Sequence, residues 1–257
     1  MSASQQALGF WRGFSALFGA VSTLLRLTRA WPYALVPVLV FLLLEAAIAT
    51  AAWDWLMPWV EAKLTGDNWW QDKGAALLSW VSVALAAALG LVVSAFLAPP
   101  ISAPALERIV GVVEDDLAAP PRAPLGFFAE LGCGLRSMLL SSAVTLPIII
   151  GLTLLELLVA PSVVVVTPLK LLIGALGVAW GLLDYPLTLR GIGARQRFGF
   201  VKRHAGVVLG FGAAFALVFW LPCCGIVMLP VGVVAATRLL WELERRGQGV
   251  LSSASKS

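Results

Sequence analysis

Apolar residues fall along this chain in runs too long for an exposed helix in water. Ala205 to Thr237 is 33 residues without a charge, well beyond the roughly 18 that mark a membrane-embedded segment. Pro222 cuts it into pieces of 17 and 15 residues. As helices these reach about 25 and 22 Å, short of a hydrocarbon core of about 30 Å. The pattern predicts a re-entrant helical hairpin over 205–237, whose tip must satisfy its backbone from protein or trapped water. Upstream, 34–53 and 74–99 each read as a full transmembrane helix. Pro99, Pro100 and Pro104 are expected to end the second. The stretch 137–183 is apolar but broken by Glu156, Pro161, Pro168 and Lys170. It predicts a second helical hairpin, bent near Ala160-Pro161.

Residues 5–30 carry a different pattern. Trp11, Phe14, Phe18, Val21 and Leu25 recur at three- and four-residue steps, and the charges are Arg12, Arg26 and Arg29. Such a helix is suited to the headgroup layer, aromatics inward and arginines near phosphate. Trp53, Trp55 and Trp59 follow the first span, with Trp69 and Trp70 beyond, as in an interfacial aromatic belt. The segment Glu107 to Arg136 is polar and contains Glu114-Asp115-Asp116, expected on a solvated surface. The fold class predicted is therefore all-α membrane protein: an interfacial amphipathic helix, two long transmembrane helices and two helical hairpins. With no long polar linker, residues 1–257 read as a single integral membrane domain, with 238–257 as a tail.

Charge sets the expected sidedness. Lys and Arg number three in the N-terminal segment, three in Glu107–Arg136, five in Asp184–His204 and four from Arg238 onward. The Asp54–Lys73 loop has two, against four acids. The positive-inside rule places that loop outside and the other segments, both termini included, in the cytoplasm. Six complete spans give the same sidedness as two spans and two hairpins. The first long apolar run starts near Ala34, too late for a signal peptide.

Composition agrees: 60% hydrophobic, 12% charged, mean hydropathy +0.92 and net charge +4. The basic residues flank apolar spans and do not interleave with exposed aromatics, which speaks against nucleic acid. Cys133, Cys223 and Cys224 lack metal-ligand spacing and read as small buried side chains. One histidine, His204, rules out a multi-histidine metal site and reads as a surface residue. No zinc-protease, nucleophile-elbow, phosphate-loop or dinucleotide motif is present. The expectation is no catalytic residue, no cofactor, no metal and no enzyme. Glu45 and Glu156 are the carboxylates placed within apolar stretches, each expected to find a partner on a neighbouring helix. Lys170 is expected to snorkel to the interface, and Asp184 to stop a helix and cap the next turn. Gly177/Gly181 and Gly206/Gly210 have the small-residue spacing of close helix pairs in lipid.

Several stretches carry a family likeness. Pro100-Ile101-Ser102-Ala103-Pro104-Ala105-Leu106-Glu107 resembles a proline-rich segment ending in Glu, found in the CysZ / etoposide-induced protein 2.4 family. Asp184-Tyr185-Pro186 matches that family's Asp-Tyr-Pro, with Phe198 and Arg203 downstream. Gly210-Phe211-Gly212, Leu221-Pro222, Leu229-Pro230-Val231 and Ala235-Ala236-Thr237 follow its closing pattern, and Tyr33-Ala34-Leu35-Val36-Pro37 extends the match into the first span. The likeness covers roughly residues 10 to 240.

This resemblance implies two long transmembrane helices and two hairpins that enter the bilayer partway. Its bacterial branch implies sulfate uptake across the inner membrane by a homo-oligomer. Pro100, Glu107, Asp184, Tyr185, Pro186, Pro222 and Pro230 are then structural motif residues. The anion motif of the family falls at Arg29-Ala30-Trp31-Pro32, where Trp31 and Pro32 replace expected arginines. Arg26 and Arg29 remain as candidate anion-binding residues. Forked guanidinium donors suit a sulfate dianion, and Pro32 suits the first turn of a helix. At the hairpin tip, Cys223-Cys224-Gly225 stands where the family usually has an Asn. Two functions stay open: permeation of sulfate or a related oxyanion, or a non-transporting scaffold or envelope-homeostasis role.

Overall fold

The computed structural model describes residues 3–64, 69–119, 127–159, 163–192, 194–219 and 224–246. Outside the described residues lie the bend at Ala160-Pro161, the hairpin tip with Pro222 and Cys223, Arg122, and the tail beyond residue 246. So do the side chains of Trp69, Trp70, Cys133, Arg136 and Arg195. Among the described residues there is no strand. Four helical stretches are long and apolar enough to cross a bilayer: Thr28–Leu64, Asp72–Ile101, Val163–Leu189 and Cys224–Arg245. The chain parses into two compact units, residues 36–102 and residues 1–35 with 103–257.

The smaller unit holds the second long span and all but the first five residues of α2. Helix α2 (Trp31–Ala51) continues through a π turn, Ala52–Leu56, into α3 (Met57–Leu64); α4 (Trp69–Ile101) returns over 33 residues. Leu39, Leu42, Leu43, Leu85, Leu89 and Val92 are all exposed. Apolar side chains on so much free surface call for a hydrocarbon solvent. Trp53 and Trp80 meet edge to face at 5.4 Å, and Trp55 and Trp59 stay exposed beside them, forming the expected belt. Glu45 finds its partner across the helix pair. The Ser94 hydroxyl donates to Glu45 Oε2 at 3.4 Å, and a Cβ at Gly90 would stand 2.9 Å from that oxygen. Pro99 and Pro100 do not stop α4, which runs on to Ile101 and breaks at Ser102. Proline keeps a helical φ and loses only its own N–H bond, so a last turn tolerates it.

The larger unit contains α1 (Ala3–Arg26), α5 (Ala103–Asp116), α6 (Phe127–Leu158), α7 (Val163–Leu189), α8 (Ala194–Arg203), α9 (Ala205–Phe219) and α10 (Cys224–Arg245). Helix α9 is its axis, packed against α1 on one side and α7 on another. Glycines permit this. A Cβ at Gly13 would strike the Val207 backbone, one at Gly210 the Phe10 carbonyl, and one at Gly212 the Ala175 carbonyl. Gly206/Gly210 is thus a true packing seam, met by Gly9 and Gly13 on α1. Phe211, Phe215 and Phe219 line up along α9, the first pair tilted at 5.1 Å and the second edge to face at 6.2 Å. With Phe200, Leu183, Leu240 and Leu243 they fill a core that is almost wholly enclosed. At 15 residues α9 reaches about 22 Å, short of the hydrocarbon core, and it meets α8 at a 90° bend.

Four further expectations differ from the structure. The amphipathic helix spans 3–26, not 5–30, because the chain tightens into a 3₁₀ turn at Thr28–Ala30. The Glu107–Arg136 segment is not simply polar: α5 buries Leu106, Ile109, Val110 and Val113 at helical spacing, and Glu107 and Glu114 with them. Of the acidic triplet only Asp115 and Asp116 stay exposed. Asp184 does not stop a helix; α7 runs through Asp184-Tyr185-Pro186 to Leu189, and the carboxylate pairs with Arg197 instead. Lys170 does not snorkel, because Glu156 on α6 lies within reach.

Candidate functional site

Arg26 and Arg29 come together at a corner. Helix α1 ends at Arg26, with the Leu27 N–H still bonded to the Thr23 carbonyl at 3.0 Å. Leu27 then leaves helical geometry (ψ 76°), and the 3₁₀ turn starts. The Ala30 N–H donates to Leu27 O at 2.9 Å, and Trp31 Nε1 donates to Leu24 O at 3.0 Å, fixing the corner from both sides. Trp31, which stands where a guanidinium was expected, is therefore a brace. Pro32 lies in the first turn of α2, where its missing N–H costs nothing.

The corner opens a cleft of about 370 Å³, lined by Arg26, Leu27, Thr28 and Arg29 on one side. Val112, Asp115 and Asp116 of α5 form the other side. Both arginines are exposed, and neither forms an ion pair among the described residues. The opposing wall has the contrary sign. Two carboxylates stand there, and the C-terminal end of α5 adds its own partial negative charge. The cleft can hold an oxyanion on the arginines only in competition with those carboxylates.

Behind the cleft, a set of ion pairs holds the larger unit together. Arg190, just past α7, contacts Glu114 of α5 at 3.3 Å and also pairs with Glu244 of α10. Arg197 of α8 pairs with Asp184, and it donates to Thr188 Oγ1 at 3.0 Å and to Ile192 O at 2.7 Å. Arg12 of α1 reaches Glu242 of α10 at 2.8 Å. Arg238 donates to Gly19 O at 2.8 Å and to the Thr23 hydroxyl, pinning α1 one turn before the cleft. In the 127–189 hairpin, Glu156 takes donors from both Lys170 and Thr167.

The motif residues divide between core and frame. Glu107, Asp184, Pro186 and Pro230 are buried, Tyr185 is partly buried against the core, and Pro100 lies in the last turn of α4. Pro222 lies outside the described residues. Among the described residues no three His, Cys, Asp or Glu side chains gather as metal ligands. In sequence, Arg190 and Arg238 count only as cytoplasmic charge. Nothing local marks them, because their partners lie 54 to 76 and 215 to 219 residues away. Gly9 and Gly13 carry in sequence the same four-residue spacing as Gly206 and Gly210 on α9.

Comparison with known proteins points one way. The family model described as sulfate transporter CysZ/etoposide-induced protein 2.4 matches residues 16–230. A sulfate transporter CysZ from Pseudomonas syringae pv. tomato is 31% identical over 100 residues, 39% of each chain. A sulfate transporter CysZ from Pseudomonas fluorescens is 30% identical over 107 residues, 42% of each chain. The matched stretch thus spans about two fifths of the length of these curated relatives. With apolar helices of spanning length and a model match over most of its residues, this multi-pass membrane protein belongs to the CysZ / etoposide-induced protein 2.4 family.

Proposed function

We propose that this protein passes sulfate or a related oxyanion across a bacterial inner membrane. It acts as one integral membrane domain in a homo-oligomer, without cofactor or catalysis, and both termini face the cytoplasm. One observation carries the reading within the family assignment. Arg26 and Arg29, neither in an ion pair among the described residues, share a cleft at the place where the resemblance sets the anion motif. Two forked guanidiniums supply donors in the geometry that a tetrahedral dianion accepts. Thr28 lines the same space.

The test is radiolabelled sulfate uptake into liposomes holding the purified protein, beside an Arg26→Ala/Arg29→Ala variant. Uptake by the unaltered protein, reduced at least about tenfold in the variant, is expected if both charge-assisted contacts are lost. Uptake that survives the double substitution removes the arginines from the path. No uptake from a folded, inserted preparation defeats the transport reading. A scaffold role then becomes the better account, and one observation favours it: Asp115 and Asp116 line the same cleft and repel an anion.

A further inference from the structure

The ion pair in the 127–189 hairpin stands in an apolar setting. Leu157 and Leu158 on α6, and Val164 and Val165 on α7, are 71–81% exposed. Between them Glu156 and Lys170 meet, with side chains about one fifth exposed. Lys170 is the only Lys or Arg between Arg136 and Arg190. Charges within hydrocarbon face a bundle interior or a wet cavity, not lipid chains. Here the two charges compensate each other across the hairpin.

The arrangement has a specific chemistry. Thr167 Oγ1 donates to Glu156 Oε1 at 3.1 Å, and Lys170 Nζ donates to Glu156 Oε2. Thr167 and Lys170 are three residues apart, on one face of α7. Two donors on one helix thus converge on the two oxygens of a single carboxylate from the other. A tetrahedral oxyanion offers the same acceptor-only oxygens. Permeation needs such a station to bind well enough to admit an ion and weakly enough to release it. A competing carboxylate on the facing helix supplies the weakening.

We propose that Thr167 and Lys170 form a second oxyanion station, which Glu156 occupies between ions and a permeating dianion such as sulfate displaces. The inference rests on the transport reading above and extends it to this hairpin. The same liposome assay tests it with Lys170→Gln, Glu156→Gln and the double variant Glu156→Gln/Lys170→Gln. Lys170→Gln is expected to lose at least about tenfold in flux, and the double variant to lose as much. Glu156→Gln is expected to keep flux and reach half-saturation at a lower sulfate concentration. A double variant at the unaltered protein's rate makes the pair a structural clamp and overturns the proposal.

The arms separate the two readings. Absent flux in the unaltered protein defeats transport itself. Flux sensitive to Arg26 and Arg29 but indifferent to Lys170 defeats this station alone. A second measurement serves if Lys170→Gln does not fold. Thr167→Cys, in a background with Cys133, Cys223 and Cys224 changed to Ser, is exposed to an anionic thiol reagent. Labelling slowed by added sulfate supports the station; labelling blind to sulfate, or no labelling at all, overturns it.

Discussion

Arg190 is the residue on which the larger unit depends most visibly. It holds Glu114 and Glu244 with side chains that are 10–16% exposed. Removing one partner from such a site leaves buried charge without compensation, a cost of about 3–5 kcal/mol. Arg190→Gln should therefore lower the thermal midpoint sharply in detergent. A triple change, Arg190→Met with Glu114→Leu and Glu244→Leu, should recover most of it, since packed apolar groups of similar volume often replace ion pairs at no loss. A triple variant as unstable as the single one would show that packing, not charge, was at fault. Glu45 illustrates the opposite case. Its place within an apolar stretch makes it costly and calls for a partner on a neighbouring helix. The structure supplies Ser94 and the space left by Gly90.

Among elements, the crossing of α1 and α9 is the tightest contact that side-chain size controls. Backbone meets backbone at Gly13 and Gly210, and in lipid such approach supplies van der Waals contact where no hydrophobic drive exists. Gly13→Leu should force the helices apart and cost at least about 3 kcal/mol, at the upper end of overpacking penalties. It should be measured as thermal stability beside Gly111→Leu, because a Cβ at Gly111 meets nothing within 4 Å. Equal effects at the two positions would sink the argument. The same crossing changes how α1 is read. Its amphipathic pattern suited a headgroup-layer helix, and Trp11, Phe18 and Leu25 do remain 64–66% exposed. Its other face is packed against α9 and α10. Periodicity alone does not say which face meets lipid and which meets protein.

For the whole molecule, sidedness is the property that charge predicts. The positive-inside rule puts Asp54–Lys73 outside and the termini inside. In intact cells, a membrane-impermeant thiol reagent should label Lys63→Cys and leave Arg246→Cys unlabelled, both in the cysteine-free background. The reverse labelling would invert the topology. Exposure in the two units bears on which surfaces face lipid. In their most apolar segments, three membrane-length stretches bury only 11–17% of their residues, whereas Cys224–Arg245 buries 67%. Helix α10 is thus an interior element of its own unit, although its composition matches that of the spans.

The sequence by itself determined the class of solvent, the all-α class and the presence of long apolar helices. Those follow from local quantities: hydropathy over a window, residues per turn, and where proline and charge interrupt. It also set Arg26 and Arg29 three residues apart ahead of the first span, where the family resemblance makes them candidates. Only the tertiary structure decided their opposing wall, because Asp115 and Asp116 arrive from a helix some 90 residues on and read in sequence as surface charge. It decided likewise that Glu114 turns inward to Arg190, that Asp184 holds Arg197, and that Lys170 meets Glu156 instead of the interface. An ion pair depends on how two helices are placed, and that placement is set by glycine seams and core packing summed over the unit. No window along one helix contains it.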